Sequence, residues 1–87
     1  MLFRSANKEK LLGNYSLAAT LFQQCVKMNP GTAAPYYELA NIYNYNKEKD
    51  KALEYSKKAA TIDPKNVWYQ LLYSDCLLAK KITTKPL

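Results

Sequence analysis

The groups able to do bond chemistry are few and scattered in this 87-residue chain. There is no histidine, so the usual proton carrier and nucleophile-activating partner is missing. The seven carboxylates (Glu9, Glu38, Glu48, Asp50, Glu54, Asp63 and Asp75) form no paired motif. Asp50 and Glu48 already have a helical role, next to the positive end of the helix that follows them. No Ser-x-x-Lys and no glycine-rich phosphate loop is present. Cys25 and Cys76 lie 51 residues apart, which is no metal-ligand spacing, and they read as small buried residues. No enzyme and no cofactor is expected.

What remains is recognition chemistry: eight tyrosines, one tryptophan and several asparagines. Aromatic rings give large contact area at low entropic cost, and amides can pair with a peptide backbone. The formal charge of +6 would suit an acidic partner, but only Arg4 among the thirteen cations is an arginine. The guanidinium forks that read bases and phosphates are therefore lacking, and specific nucleic-acid binding is not expected. Lys47, Lys49, Lys51, Lys57 and Lys58 cluster in one stretch and read as a solvated surface. No run approaches the roughly 20 apolar residues of a membrane span, and the N-terminus lacks a signal-peptide core, so a soluble chain is expected.

The elements that position these residues follow from spacing. Composition, with two glycines and four prolines, favours all-α. Val26-Lys27-Met28-Asn29-Pro30 and Ala60-Thr61-Ile62-Asp63-Pro64 end helices, since proline lacks the N–H donor, and the two prolines lie 34 residues apart. Such a period marks stacked units. Ahead of each proline, apolar residues return at steps of three or four: Ala18, Leu21/Phe22, Cys25 and Met28, then Ala52, Tyr55/Ser56, Ala59 and Ile62. Turns at Gly13-Asn14 and Asn46-Lys47-Glu48 separate each of these helices from an earlier one. The spacing predicts helices at about 2–12, 15–28, 34–45, 49–62 and 67–80, with Thr32 and Asn66 as N-caps. The expected organisation is one domain over 1–80, with repeats at about 1–32 and 33–66 and a partial one at 67–80. A tail over 81–87 is expected to fray.

Tyr36-Tyr37-Glu38-Leu39-Ala40-Asn41-Ile42-Tyr43, Ala52-Leu53-Glu54-Tyr55 through Ala59 to Asp63-Pro64, and Gly13-Asn14-Tyr15 with Ala18, Phe22 and Pro30 resemble the tetratricopeptide repeat (TPR) family. Val67-Trp68-Tyr69-Gln70-Leu71-Leu72 opens a third unit. Lys47 replaces the usual turn glycine, and Ser56 stands where a large aromatic is usual, which suggests looser packing there. The resemblance implies an α-α superhelix of two full helix-turn-helix repeats plus the first helix of a third. It also implies a protein-interaction scaffold that takes a peptide or helix in a concave groove lined by first helices. The groove positions it implies are Phe3, Asn7 and Lys10, then Tyr37, Asn41, Asn44 and Tyr45, then Trp68, Leu71 and Asp75. The family's clamp for acidic C-terminal peptides needs lysines, an arginine and asparagines where this chain has Phe3, Asn7, Glu38, Trp68 and Leu72; only Asn7 fits, so that ligand class is not expected. The stretch from Asp63 to Tyr69 is similar to TPR segments of bacterial envelope-associated proteins, which implies a parent protein of that kind.

The fifth helix is apolar nearly all round and expects cover on more than one side. The sequence therefore reads as a piece of a longer repeat protein, with self-association through Trp68, Leu71, Leu72 and Leu78 as the alternative.

Overall fold

A computed structural model describes the backbone of residues 2–84 and the side chains of residues 3–79. Five helices follow one another: α1 (Leu2–Leu11), α2 (Tyr15–Met28), α3 (Ala33–Tyr45), α4 (Lys49–Ile62) and α5 (Val67–Thr84). Each packs on its neighbour in sequence, and α3 also touches α5, giving a stack measuring 46 × 28 × 19 Å. The first four helices begin and end within a residue of the sequence reading. The fifth runs on to Thr84, where fraying from 81 was expected. Lys80 and Lys81 are good helix formers, and one helical turn carries the chain past them. Residues 85–87 of the expected tail lie outside the described residues.

The 34-residue period is written into the backbone. Gly13 N–H donates to Lys10 O at 3.0 Å and Asn14 N–H to Glu9 O at 2.8 Å, while Lys47 donates to Asn44 O at 3.1 Å and Glu48 to Tyr43 O at 2.8 Å. At the other end of each unit, Asn29 donates to Cys25 O at 2.9 Å and Thr32 to Asn29 O at 3.1 Å. Asp63 and Asn66 repeat the pair with Ala59 O at 3.0 Å and Asp63 O at 3.1 Å. Every partner is displaced by one repeat. The α1–α2 pair is thus the same supersecondary unit as α3–α4.

The shared turn needs one left-handed residue. Gly13 supplies it at φ 86°, and in the second unit Lys47 takes it at φ 65°. A left-handed backbone costs a residue with a Cβ about 1–2 kcal/mol, partly offset by the extra freedom glycine has when unfolded. Lys47→Gly should therefore stabilise the chain by about 1 kcal/mol and raise its melting temperature by about 4–8 °C. An unchanged or lower midpoint in a circular-dichroism melt would show that the turn carries no such strain.

Caps separate the two later helix entries. Asn66 Oδ1 accepts from the backbone N–H of Trp68 at 3.0 Å and of Tyr69 at 3.3 Å. Thr32 occupies the same place before α3 but its side chain makes no cap hydrogen bond. Pro35, which stands where Tyr69 stands in α5, has no N–H to give and removes one of the two donors.

The core is built on small residues. Ala6, Ala18, Ala40, Ala52 and Ala59 are all buried, and Phe22, Leu39, Ile42 and Tyr43 fill the space their close approach leaves. A leucine at position 52 has nowhere to go, so Ala52→Leu should cost about 1–3 kcal/mol, read as a lower denaturation midpoint. Ser56 is also fully buried, not loosely packed as the sequence suggested: its hydroxyl donates to Leu53 O at 3.0 Å. Leu72 and Cys76 of α5 belong to the same core cluster. With a small residue at 56, the third unit's helix settles into the core, where the first unit uses Phe22.

Candidate first-helix binding surface

Helical periodicity places the expected groove residues on one stripe of each first helix: 3, 7 and 10 on α1; 37, 41, 44 and 45 on α3; 68, 71 and 75 on α5. The structure treats the three stripes differently. Phe3 is half-buried, its ring edge-to-face with Phe22 at 5.5 Å. Asn7 and Asn41 are half-buried and donate to carbonyls one turn back in their own helices, Phe3 O at 3.3 Å and Tyr37 O at 3.2 Å. Tyr37 is half-buried against Tyr69, with ring centroids 4.8 Å apart. Asn44, Trp68, Leu71 and Asp75 are exposed. Tyr45 is exposed too, with one face 4.7 Å from the ring of Tyr15.

Lys10 and Glu38 form an ion pair that joins α1 to α3. The sequence left Glu38 as an uncompensated negative charge; the pair neutralises it and uses up the cation of the α1 stripe. A ligand carboxylate would meet a cation already paired at Lys10. Around this bridge Lys10, Asn41 and Tyr45 come together with Leu11, Tyr15 and Ile42 in a shallow cleft of 330 Å³. Three expected groove residues from two helices thus share one site. Tyr15, Tyr69 and Glu38 were missed as contributors. Nothing local in the sequence pairs Lys10 with Glu38.

Leu72 corrects the expected self-association surface. It is only 9% exposed and lies in the core cluster, whereas Trp68 is 68% and Leu78 57% exposed. On α5, positions 69, 72, 73 and 76 face α3 and α4, which turns 67, 68, 71, 74, 75, 77 and 78 outward. A helix apolar on all sides gives no periodic clue to which leucine points in.

The lysine-rich stretch is partly engaged in structure. Lys51 lies over the Tyr43 ring at 5.4 Å and Lys58 over the Tyr36 ring at 5.7 Å, each covering a tyrosine with its alkyl stem and charge. Lys51 also approaches Glu48 at 3.6 Å. Tyr55 sits between those tyrosines, 5.4 Å from Tyr43 and 6.0 Å from Tyr36.

Burial pushes up the thiols of Cys25 and Cys76 and the phenols of Tyr55 and Tyr69; neighbouring rings and carboxylates add to the rise for the phenols. A raised folded value favours the neutral form, so this stability is complete below the ordinary values of 9.0 for thiols and 10.0 for phenols, and drains away as pH climbs past them. The melting temperature should hold from pH 7 to about 8.5 and fall through pH 9–11. A midpoint that stayed flat to pH 11 would contradict the burial of these groups. At neutral pH both thiols should alkylate slowly until the chain unfolds.

Among the described residues no group of three or more His, Cys, Asp or Glu side chains could hold a metal ion, and no helix is long and apolar enough to cross a membrane. No curated protein matches the chain. A family model described as tetratricopeptide repeat matches residues 33–66, the helix pair α3–α4 with both its turns. Tetratricopeptide repeats are non-catalytic scaffolds that mediate protein–protein interactions. The segment found by family comparison is the one whose turn hydrogen bonds recur 34 residues earlier, and residues 33–66 of this chain are a tetratricopeptide repeat.

Proposed function

We propose that the chain is an interaction module that holds a peptide or helix of another protein along the face presented by α1, α3 and α5. The observation that carries this reading is the cleft shared by Lys10, Asn41 and Tyr45, beside exposed Asn44, with Trp68, Leu71 and Asp75 exposed on α5. Its amides and rings suit a backbone and apolar side chains, and its one cation is already paired. Photo-cross-linking residues placed singly at Asn44 and at Lys57 test it in the intact protein. A partner captured from position 44 and not from 57 supports the reading; capture from 57 alone sinks it.

A second reading is favoured by α5, where Val67, Trp68, Leu71, Leu77 and Leu78 are all exposed. Positions 36, 39, 40 and 43 of α3 are buried beneath α4, and their counterparts one repeat later are 70, 73, 74 and 77. Of the exposed residues Leu77 lies on that face, which fits the second helix of a further repeat in a longer chain; Leu71 and Leu78, the counterparts of Tyr37 and Asn44, lie on the first-helix stripe and fit a second copy. Light scattering on a sizing column separates these: a dimer lost on Leu78→Lys supports self-association, and a monomer at high concentration rejects it. Binding of nucleic acid or acidic lipid would use the lysines of α4 and would weaken steeply with salt, unlike an apolar groove.

A further inference from the structure

We propose that the pocket between the end of α2 and the first turn of α3 receives one aromatic side chain from the bound protein segment, a finer statement that rests on the groove reading above. The pocket has a volume of 460 Å³ and is walled by Phe3, Cys25, Met28, Ala34 and Pro35, with Asn29 and Thr32 from the turn.

The second repeat shows what this place is shaped to hold. One period on, Phe3, Ala34 and Pro35 become Tyr37, Trp68 and Tyr69. There the Tyr69 ring lies 4.8 Å from the Tyr37 ring, joining first helix to first helix. The first repeat has the pyrrolidine of Pro35 where the second has the phenol of Tyr69, so the space stands open; Trp68, the counterpart of Ala34, is 68% exposed and does not fill it. Its wall suits a ring: Phe3 offers an aromatic surface, and Met28, exposed and flexible, offers a thioether that packs well on aromatic edges. The occupant is an aromatic side chain of the segment held in the groove, because the Tyr69 ring takes the corresponding place one repeat on.

The probe is N-acetyl-tryptophanamide, and the reporter is the Met28 methyl group, one of only two methionine methyls in the chain. Titration of methyl-labelled protein should move the Met28 signal upfield and saturate with a dissociation constant on the order of 1 mM. N-acetyl-alaninamide should leave it in place. Pro35→Tyr installs the second repeat's own ring and should weaken the response at least about tenfold with the fold intact; Ala34→Trp, which adds bulk at the pocket wall, serves the same end should the first variant fail to fold. An unmoved Met28 signal, or one that moves equally in a folded filled-pocket variant, overturns the proposal. A shift that follows protein concentration and vanishes in Trp68→Ala assigns the pocket to a second copy and also overturns it. A partner that perturbs Asn44 and Tyr45 while Met28 stays silent removes the aromatic anchor and leaves the groove reading intact.

Discussion

Phe22→Ala should cost about 3–5 kcal/mol, the range for emptying a fully buried aromatic site. A chain of this length has a total stability of about 4–13 kcal/mol, so the variant loses much of it. Phe22 is fully buried on α2, makes the edge-to-face contact with Phe3, and sits in the cluster with Ala18, Leu39 and Ala40. Its loss leaves a hole that alanine-spaced helices cannot close, because their backbones are already near contact. Urea denaturation followed by helical circular dichroism measures the effect. A loss below about 1 kcal/mol would mean that the first repeat is not packed as described.

The second large effect is expected at the counterpart of Phe22. Ser56→Phe restores the residue type usual for the family, yet it should destabilise by about 1–3 kcal/mol. In this chain Ser56 is fully buried on α4, its hydroxyl bonded to Leu53 O, and Leu72 and Cys76 of α5 lie in the core cluster that includes Ala52 one turn earlier. A phenyl ring there must push α5 outward. Hydrogen exchange should show α5 opening more readily while α1 and α2 stay protected. A stabilised variant would instead mean that the space around Ser56 is slack, as the sequence alone suggested.

These two residues show what could be read in advance and what could not. Helix number, order and most boundaries were legible because proline, glycine and asparagine act locally, and because Pro30 and Pro64 repeat the same stop. Buried alanines were legible from their register. The face of α5 was not: with apolar residues on every side, nothing in the sequence separated buried Leu72 from exposed Leu71 and Leu78. Pairings between first helices were hidden for a different reason. The Lys10–Glu38 bridge and the Tyr37–Tyr69 contact depend on how one repeat is rotated on the next, which no local rule specifies. The positive charge was the most misleading signal, since Lys10 is neutralised by Glu38 while Lys51 and Lys58 cover tyrosines.

The central claim is that a partner binds along the first helices and not across the lysines of α4. Amide chemical-shift mapping of the labelled chain against its captured partner tests it most directly. Perturbations are expected at Asn41, Asn44, Tyr45, Trp68 and Leu71, with Lys57 and Lys58 unmoved. Shifts confined to Lys57, Lys58 and their neighbours on α4 would contradict it.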